Sequence, residues 1–144
     1  EQELKFLKMQ LHPHFLFNTL NTLYGFALKK SEQAPEMILK LSNLLDYILY
    51  QVDKPLVRLQ DEINHIEDYI SLEKSRFQEG LQIVFDKNLL DNELQISPML
   101  LLPFIENAFK HGVQINGVVN VRIMLKVDEE ALSFSIASSI EEIL

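Results

Sequence analysis

Apolar residues in the first part of the chain recur at alternating spacings of three and four: Phe6, Met9, Pro13, Leu16, Leu20, Leu23 and Ala27. This is the seam of a bundled or coiled helix and predicts one long helix over 2–30. Pro13 lacks the amide that would bond the carbonyl of Met9, so a bend is expected there. A second helix is predicted from Pro35, a residue suited to the first helical position. Its apolar set, Met37, Ile38, Leu41, Leu44, Leu45, Ile48, Leu49 and Val52, is too broad to bury against one neighbour. The short connection makes the two helices antiparallel. A lone hairpin cannot cover so wide a stripe, and pairing with a second copy into a dimeric four-helix bundle is the simplest remedy.

Asp53-Lys54-Pro55 reads as a linker. A third helix is expected over 60–79, with Ile63, Ile66, Ile70 and Phe77 on one face and Gly80 as its stop. A strand is predicted over 81–85, then a helix opened by Ser97-Pro98 and closed by Gly112. After a turn at Asn116-Gly117, strands over 118–127 and 131–136 join through Asp128-Glu129-Glu130 as a hairpin. The expected fold class is α+β: a helical hairpin over 1–56 and an α/β layer over 57–144.

Composition narrows the function classes. With 144 residues, 47% apolar and 24% charged, the chain has room for one ordinary domain or two small ones and is not compositionally disordered. It has no cysteine, which removes disulfides, thiolate metal sites and a cysteine nucleophile, and fits a reducing compartment. A net charge of −8 speaks against a general nucleic-acid binder. The charge is uneven: residues 1–56 carry six basic and six acidic side chains, residues 57–144 seven and fifteen. Two units with different tasks are expected. No apolar run approaches the ~18 residues of a membrane span. The chain opens without Met or a signal sequence, so it is expected to be an interior segment of a longer protein.

Two segments could carry chemistry. In the first, Leu11 to Asn21, a helical count puts Leu16, Leu20, Leu23 and Ala27 on one face and His14, Asn18, Asn21 and Gly25 on the opposite one. His14 is thereby expected to stay accessible, with a ring nitrogen free as a nucleophile, whereas His12 falls near the buried side. A metal site from His12 and His14 is disfavoured, because side chains two apart on a helix diverge. In the second segment, Asn107, Lys110 and His111 lie at i, i+3 and i+4 and share a helix face. An amide oxygen suits Mg²⁺ and an ammonium suits phosphate. Taken singly, each segment also reads as the wet side of an amphipathic helix, with Glu106 and Lys110 as a weak ion pair.

Together they resemble a known family. His12-Pro13-His14-Phe15-Leu16-Phe17-Asn18-Thr19-Leu20-Asn21 is similar to the phosphoacceptor box of the LytS/YehU-like class of sensor histidine kinases. Pro98 to Gly112, with Glu106-Asn107 and Lys110-His111, resembles the N-box of that class, and segments 57–69 and 72–77 resemble its connector. The resemblance implies a dimerisation and phosphotransfer hairpin over 1–56, followed by the start of a GHKL-type ATP-binding α/β sandwich over 57–144. It implies that His14 takes the γ-phosphoryl group of ATP and passes it to an aspartate on a response-regulator receiver domain, with Asn18 flanking it. It further implies that Asn107 ligates Mg²⁺ and that Glu106, Lys110 and His111 surround the nucleotide phosphates. The intact parent would be attached to the membrane by segments outside this chain, leaving this portion cytoplasmic.

Two departures stand out. Phe15 occupies the place where many other histidine kinases carry a carboxylate base, so the sequence names no base. The four glycines, Gly25, Gly80, Gly112 and Gly117, form no Gly-x-Gly element, so the glycine-rich lid boxes of the family are missing. This piece alone is expected to bind ATP negligibly and to be inactive. An alternative reading is a catalytically inactive, kinase-like dimerisation and docking module. A water-activating GHKL ATPase fits less well, because Pro103 stands where such enzymes carry a glutamate.

Overall fold

A computed structural model describes residues 13–90, 93–111 and 117–139. Two helices, α1 (Pro13–Leu28) and α2 (Gln33–Tyr50), form the hairpin, and a 3₁₀ turn (Gln51–Asp53) leads out of it. A short strand β1 (Val57–Arg58) precedes the long helix α3 (Leu59–Phe77). Then come β2 (Leu81–Leu89), β3 (Gln95–Ile96), α4 (Leu102–His111), β4 (Val119–Val127) and β5 (Leu132–Ser138). The α+β class is as expected. The proposed extension of α1 through residues 1–12, including His12, lies outside the described residues, as do Gly112 and Asn116.

The sheet has the order β2-β4-β5. β2 and β4 pair in parallel from Leu81 opposite Val119 to Leu89 opposite Val127, with α4 in the crossover between them. β4 and β5 form the expected antiparallel hairpin. Asp128 fastens its turn by accepting hydrogen bonds from the amides of Glu130 (2.9 Å) and Ala131 (2.8 Å), which also hold its carboxyl below the usual carboxylate range. Along β4, Val119, Val121, Ile123, Leu125 and Val127 are buried and their neighbours exposed, the period-2 pattern of a sheet covered on one face. β1 and β3, too short to show a period, form a separate antiparallel ribbon with Val57 opposite Ile96.

One apolar core runs from Phe15 through Leu44 and Ile48 of α2 and Ile63, Ile66 and Leu72 of α3 to Leu102, Ile105 and the inner face of β4. The hairpin seam is a correction. Leu16 and Leu23 are half-buried as expected, but Leu20 and Ala27 are exposed, and the inward face of α1 is led by Phe15 and Thr19. The helix is rotated because Phe15, absent from the three-four series, docks against Tyr69 with ring centroids 4.7 Å apart. Phe17, Leu20, Tyr24 and Leu28 are left as an outward stripe, 44–66% exposed. On α2, Ile38 is likewise exposed.

The expected helix start at Ser97-Pro98 is also corrected. Residues 98–101 form a turn with Met99 at φ +62°, and the helix begins at Leu102, with Pro103 in its first turn. The cause is Glu62, whose buried carboxylate captures the amides of Met99 (2.9 Å) and Leu101 (2.7 Å) and holds the segment out of helical geometry.

Candidate functional site

α1, α3 and α4 converge on a cleft of about 540 Å³. From α1 it is lined by His14, Phe15 and Asn18; from α3 by Tyr69, Glu73, Arg76 and Phe77; from α4 by Glu106, Phe109 and Lys110. Helical spacing explains each set, since positions 69, 73, 76 and 77 fall on one face of α3, and 106, 109 and 110 on one face of α4. An aromatic relay clamps the three helices. The Tyr69 ring touches Phe15 on one side and meets Phe109 edge-on, at 5.5 Å between centroids, on the other. Phe15 is 5% exposed and its neighbour His14 is exposed, so docking of the phenyl ring fixes the imidazole at the mouth of the cleft.

Two carboxylates sit inside. Glu106 is buried, and Lys110, one turn on along α4, is exposed. Glu73 is buried at 1% exposure and receives a hydrogen bond from the Arg76 guanidinium at 2.7 Å. Burial pushes the Glu73 carboxyl above the usual range, against the pull of Arg76. Burial likewise raises the Tyr69 phenol well above its ordinary value, reinforced by Glu73 and Glu106, so it stays protonated. The Arg76 guanidinium lies over the Phe77 ring at 4.1 Å.

Of the residues singled out in the sequence, His14, Asn18, Glu106 and Lys110 therefore border one cavity. Asn107 does not line it; it is exposed one position on along α4. The side chain of His111 lies outside what the structure describes. An amide oxygen is a donor type that suits Mg²⁺, which keeps several waters and takes few protein ligands, and an ammonium suits phosphate; of the two, the structure sets Lys110 at the cleft and Asn107 on the exposed surface beside it. Among the described residues no group of three His, Asp or Glu side chains could cage a metal by itself.

Sequence reasoning missed Glu73, Arg76 and Tyr69 as cleft residues, and Tyr47 and Glu62 as a structural junction. Tyr47 of α2 donates its hydroxyl to Glu62 of α3, the same carboxylate that holds Met99 and Leu101. The Tyr47 phenol is raised by its burial and by Glu62, so it remains a donor. His65 stacks on the Tyr47 ring with centroids 4.1 Å apart. The available signal was Glu62, Tyr69 and Glu73 falling in phase with Ile63, Ile66 and Ile70 on α3.

Residues 2–81 match the histidine kinase family model. The chain is 38% identical over 112 residues to the sensor histidine kinase BtsS of Escherichia coli K12, covering 78% of this chain and 20% of that protein. It is 33% identical over 126 residues to the sensor histidine kinase YpdA of the same organism, covering 84% and 22%. To the sensor protein kinase HptS of Staphylococcus aureus it is 32% identical over 124 residues, covering 85% and 24%. The chain thus spans about a fifth to a quarter of the length of these curated relatives.

Proposed function

The chain belongs to the histidine kinase family, and from that premise we propose that it is the phosphotransfer core of a two-component sensor kinase. In this reading His14 is the phosphoacceptor. A ring nitrogen of its imidazole attacks the terminal phosphorus of ATP, ADP departs, and the phosphoryl group then passes to an aspartate of a response-regulator receiver domain. The observation that carries the reading is the shared cleft: the exposed His14 borders the same cavity as Glu106 and Lys110 of α4. Phosphoryl transfer is mostly alignment and charge stabilisation, and the aromatic clamp through Phe15, Tyr69 and Phe109 supplies the alignment.

Asn107 would hold Mg²⁺, which when bound neutralises phosphate charge. Lys110 would meet the phosphate oxygens with Glu106 beside it at the cleft, and His111 completes the nucleotide-binding set that the resemblance implies. Asn18, one turn from His14, lines the cleft and is placed to hydrogen-bond the imidazole or an incoming phosphate. Residues 1–56 serve as the dimerising hairpin and 57–144 as the opening part of the GHKL-type ATP-binding sandwich. The outward stripe of Phe17, Leu20, Tyr24 and Leu28, with Ile38 on α2, supports pairing with a second copy as a four-helix bundle. Among the described residues no helix is long and apolar enough to cross a membrane; attachment to the membrane belongs to other segments of the parent, with this portion on the cytoplasmic side.

The test is labelling of the full-length protein with γ-labelled ATP and Mg²⁺. His14→Ala abolishes the acid-labile label while the dimer persists in solution. Undiminished label in that variant excludes His14 as the acceptor.

A further inference from the structure

Glu73 and Arg76 are an ion pair on which the fold itself makes no full use. One oxygen of Glu73 takes the guanidinium at 2.7 Å, but Oε1 is buried without a hydrogen-bond partner, and so is Nε of Arg76. A buried carboxylate half satisfied is costly, and an apolar pair of similar volume would serve packing as well or better. Both residues line the cleft that His14 borders, and the unused acceptor and the unused donor are buried in its wall.

We propose that Glu73 and Arg76 form a two-part receptor for phosphorylation at His14, in which Arg76 donates through Nε to the phosphoryl group in transit and Glu73 accepts the proton that the imidazole must lose. This rests on the reading of His14 as the phosphoacceptor. One ring nitrogen of His14 bonds the γ-phosphorus of ATP while the bond from that phosphorus to the bridging oxygen breaks, and the electron pair leaves with ADP. The ring, now carrying phosphorus on one nitrogen and hydrogen on the other, is cationic until that proton moves to Oε1 of Glu73. The guanidinium, seated on Phe77 and tied by Glu73, keeps its Nε–H fixed for a phosphoryl oxygen, a charge-assisted bond that strengthens as charge develops. The elevated affinity of Glu73 for protons, caused by its burial, suits an acceptor. A base delivered from α3 accounts for Phe15 standing where a carboxylate might have followed the histidine.

The experiment measures single-turnover labelling of the full-length protein, with nucleotide affinity read by a fluorescent ATP analogue and folding by melting temperature. Glu73→Gln keeps the volume and the contact to Arg76; it is expected to slow labelling ~100-fold with nucleotide affinity unchanged. The residual rate of that variant should climb with pH, because solvent must now take the proton. Arg76→Ala is expected to slow labelling by a similar ~100-fold factor, and free guanidinium should restore part of the rate. Labelling of Glu73→Gln at the wild-type rate, or a loss in Arg76→Ala that follows the melting temperature and resists guanidinium, makes the pair structural and overturns the proposal. His14→Gln separates the two levels: if it keeps its label, the assignment of the acceptor has failed, and the receptor with it.

Discussion

Tyr47 and Glu62, fifteen residues apart and on different helices, share one buried hydrogen bond, and the same Glu62 oxygen accepts the amide of Met99 at 2.9 Å. The second carboxylate oxygen accepts the amide of Leu101 at 2.7 Å. A single fully buried carboxylate therefore ties the helical hairpin, α3 and the turn that launches α4. The position of Glu106 and Lys110 depends on this knot, because α4 begins one residue beyond it.

Two substitutions measure the knot. Tyr47→Phe retains the ring and its stack on His65 but removes a donor, leaving the amides of Met99 and Leu101 to the carboxylate; a loss of about 1–2 kcal/mol is expected. Glu62→Gln sets an amide NH₂ against a backbone N–H, which cannot be satisfied, and should cost about 2–3 kcal/mol. Urea unfolding with unchanged m-values checks both. An order in which Tyr47→Phe is the more damaging would contradict the central place given to Glu62.

His65 makes the same region sensitive to acid. Burial lowers its pKa below the ordinary value, against the opposing pull of Asp68, Asp61, Glu62 and Asp46, and its Nδ1 is buried without a partner. The unfolded chain thus binds the proton more readily than the folded one. Stability from this residue is full above the unfolded value of 6.5 and is lost as pH falls through the lower folded value. His65→Gln should narrow the gap in melting temperature between pH 7.5 and pH 5.5. Glu73, raised by burial, has the opposite sign: its contribution falls as pH climbs above 4.5 towards its folded value. Comparing each variant with the wild type separates the two.

Dimerisation is tested on the outward face of α1. Leu20→Glu and Tyr24→Glu alter exposed positions, so they should leave the melting of the monomer fold nearly unchanged. Introduced into a self-complementary patch, each charge is buried twice, and analytical ultracentrifugation should show a shift towards monomer. An unaltered dimer in both variants assigns the contact to another surface.

Much of this was legible in the residues, and the gaps have physical causes. The β4–β5 hairpin followed from a strict two-residue period and the Asp128 turn, both local signals. His14 was placed outward by counting along one helix. The rotation of α1 was not legible, because Phe15 is drawn inward by Tyr69, a residue 54 positions away in sequence whose own burial breaks no local rule. Ser97-Pro98 has every local mark of a helix start, yet the distant Glu62 claims the amides that a helix would have ordered. The Glu73–Arg76 pair reads in sequence as an ordinary i,i+3 surface bridge; only the packing of α1 and α4 over it makes it an interior group.

The parallel pairing of β2 with β4 carries a consequence for how the chain acquires its shape. No tight turn can nucleate that ladder, since Leu81 and Val119 meet only after the intervening segment has closed on itself. The β4–β5 ribbon, built from neighbours in sequence, can form early, while β2 must wait for the crossover to settle. Pulsed deuterium labelling during refolding should therefore protect the amides of Arg122, Met124 and Lys126, which face β5, before those of Val84, Asp86 and Asn88 of β2, which face β4. Helix α4 lies inside the loop being closed, so it reaches its final place with the last and slowest strand, and the cleft that it lines is completed only at the end of assembly.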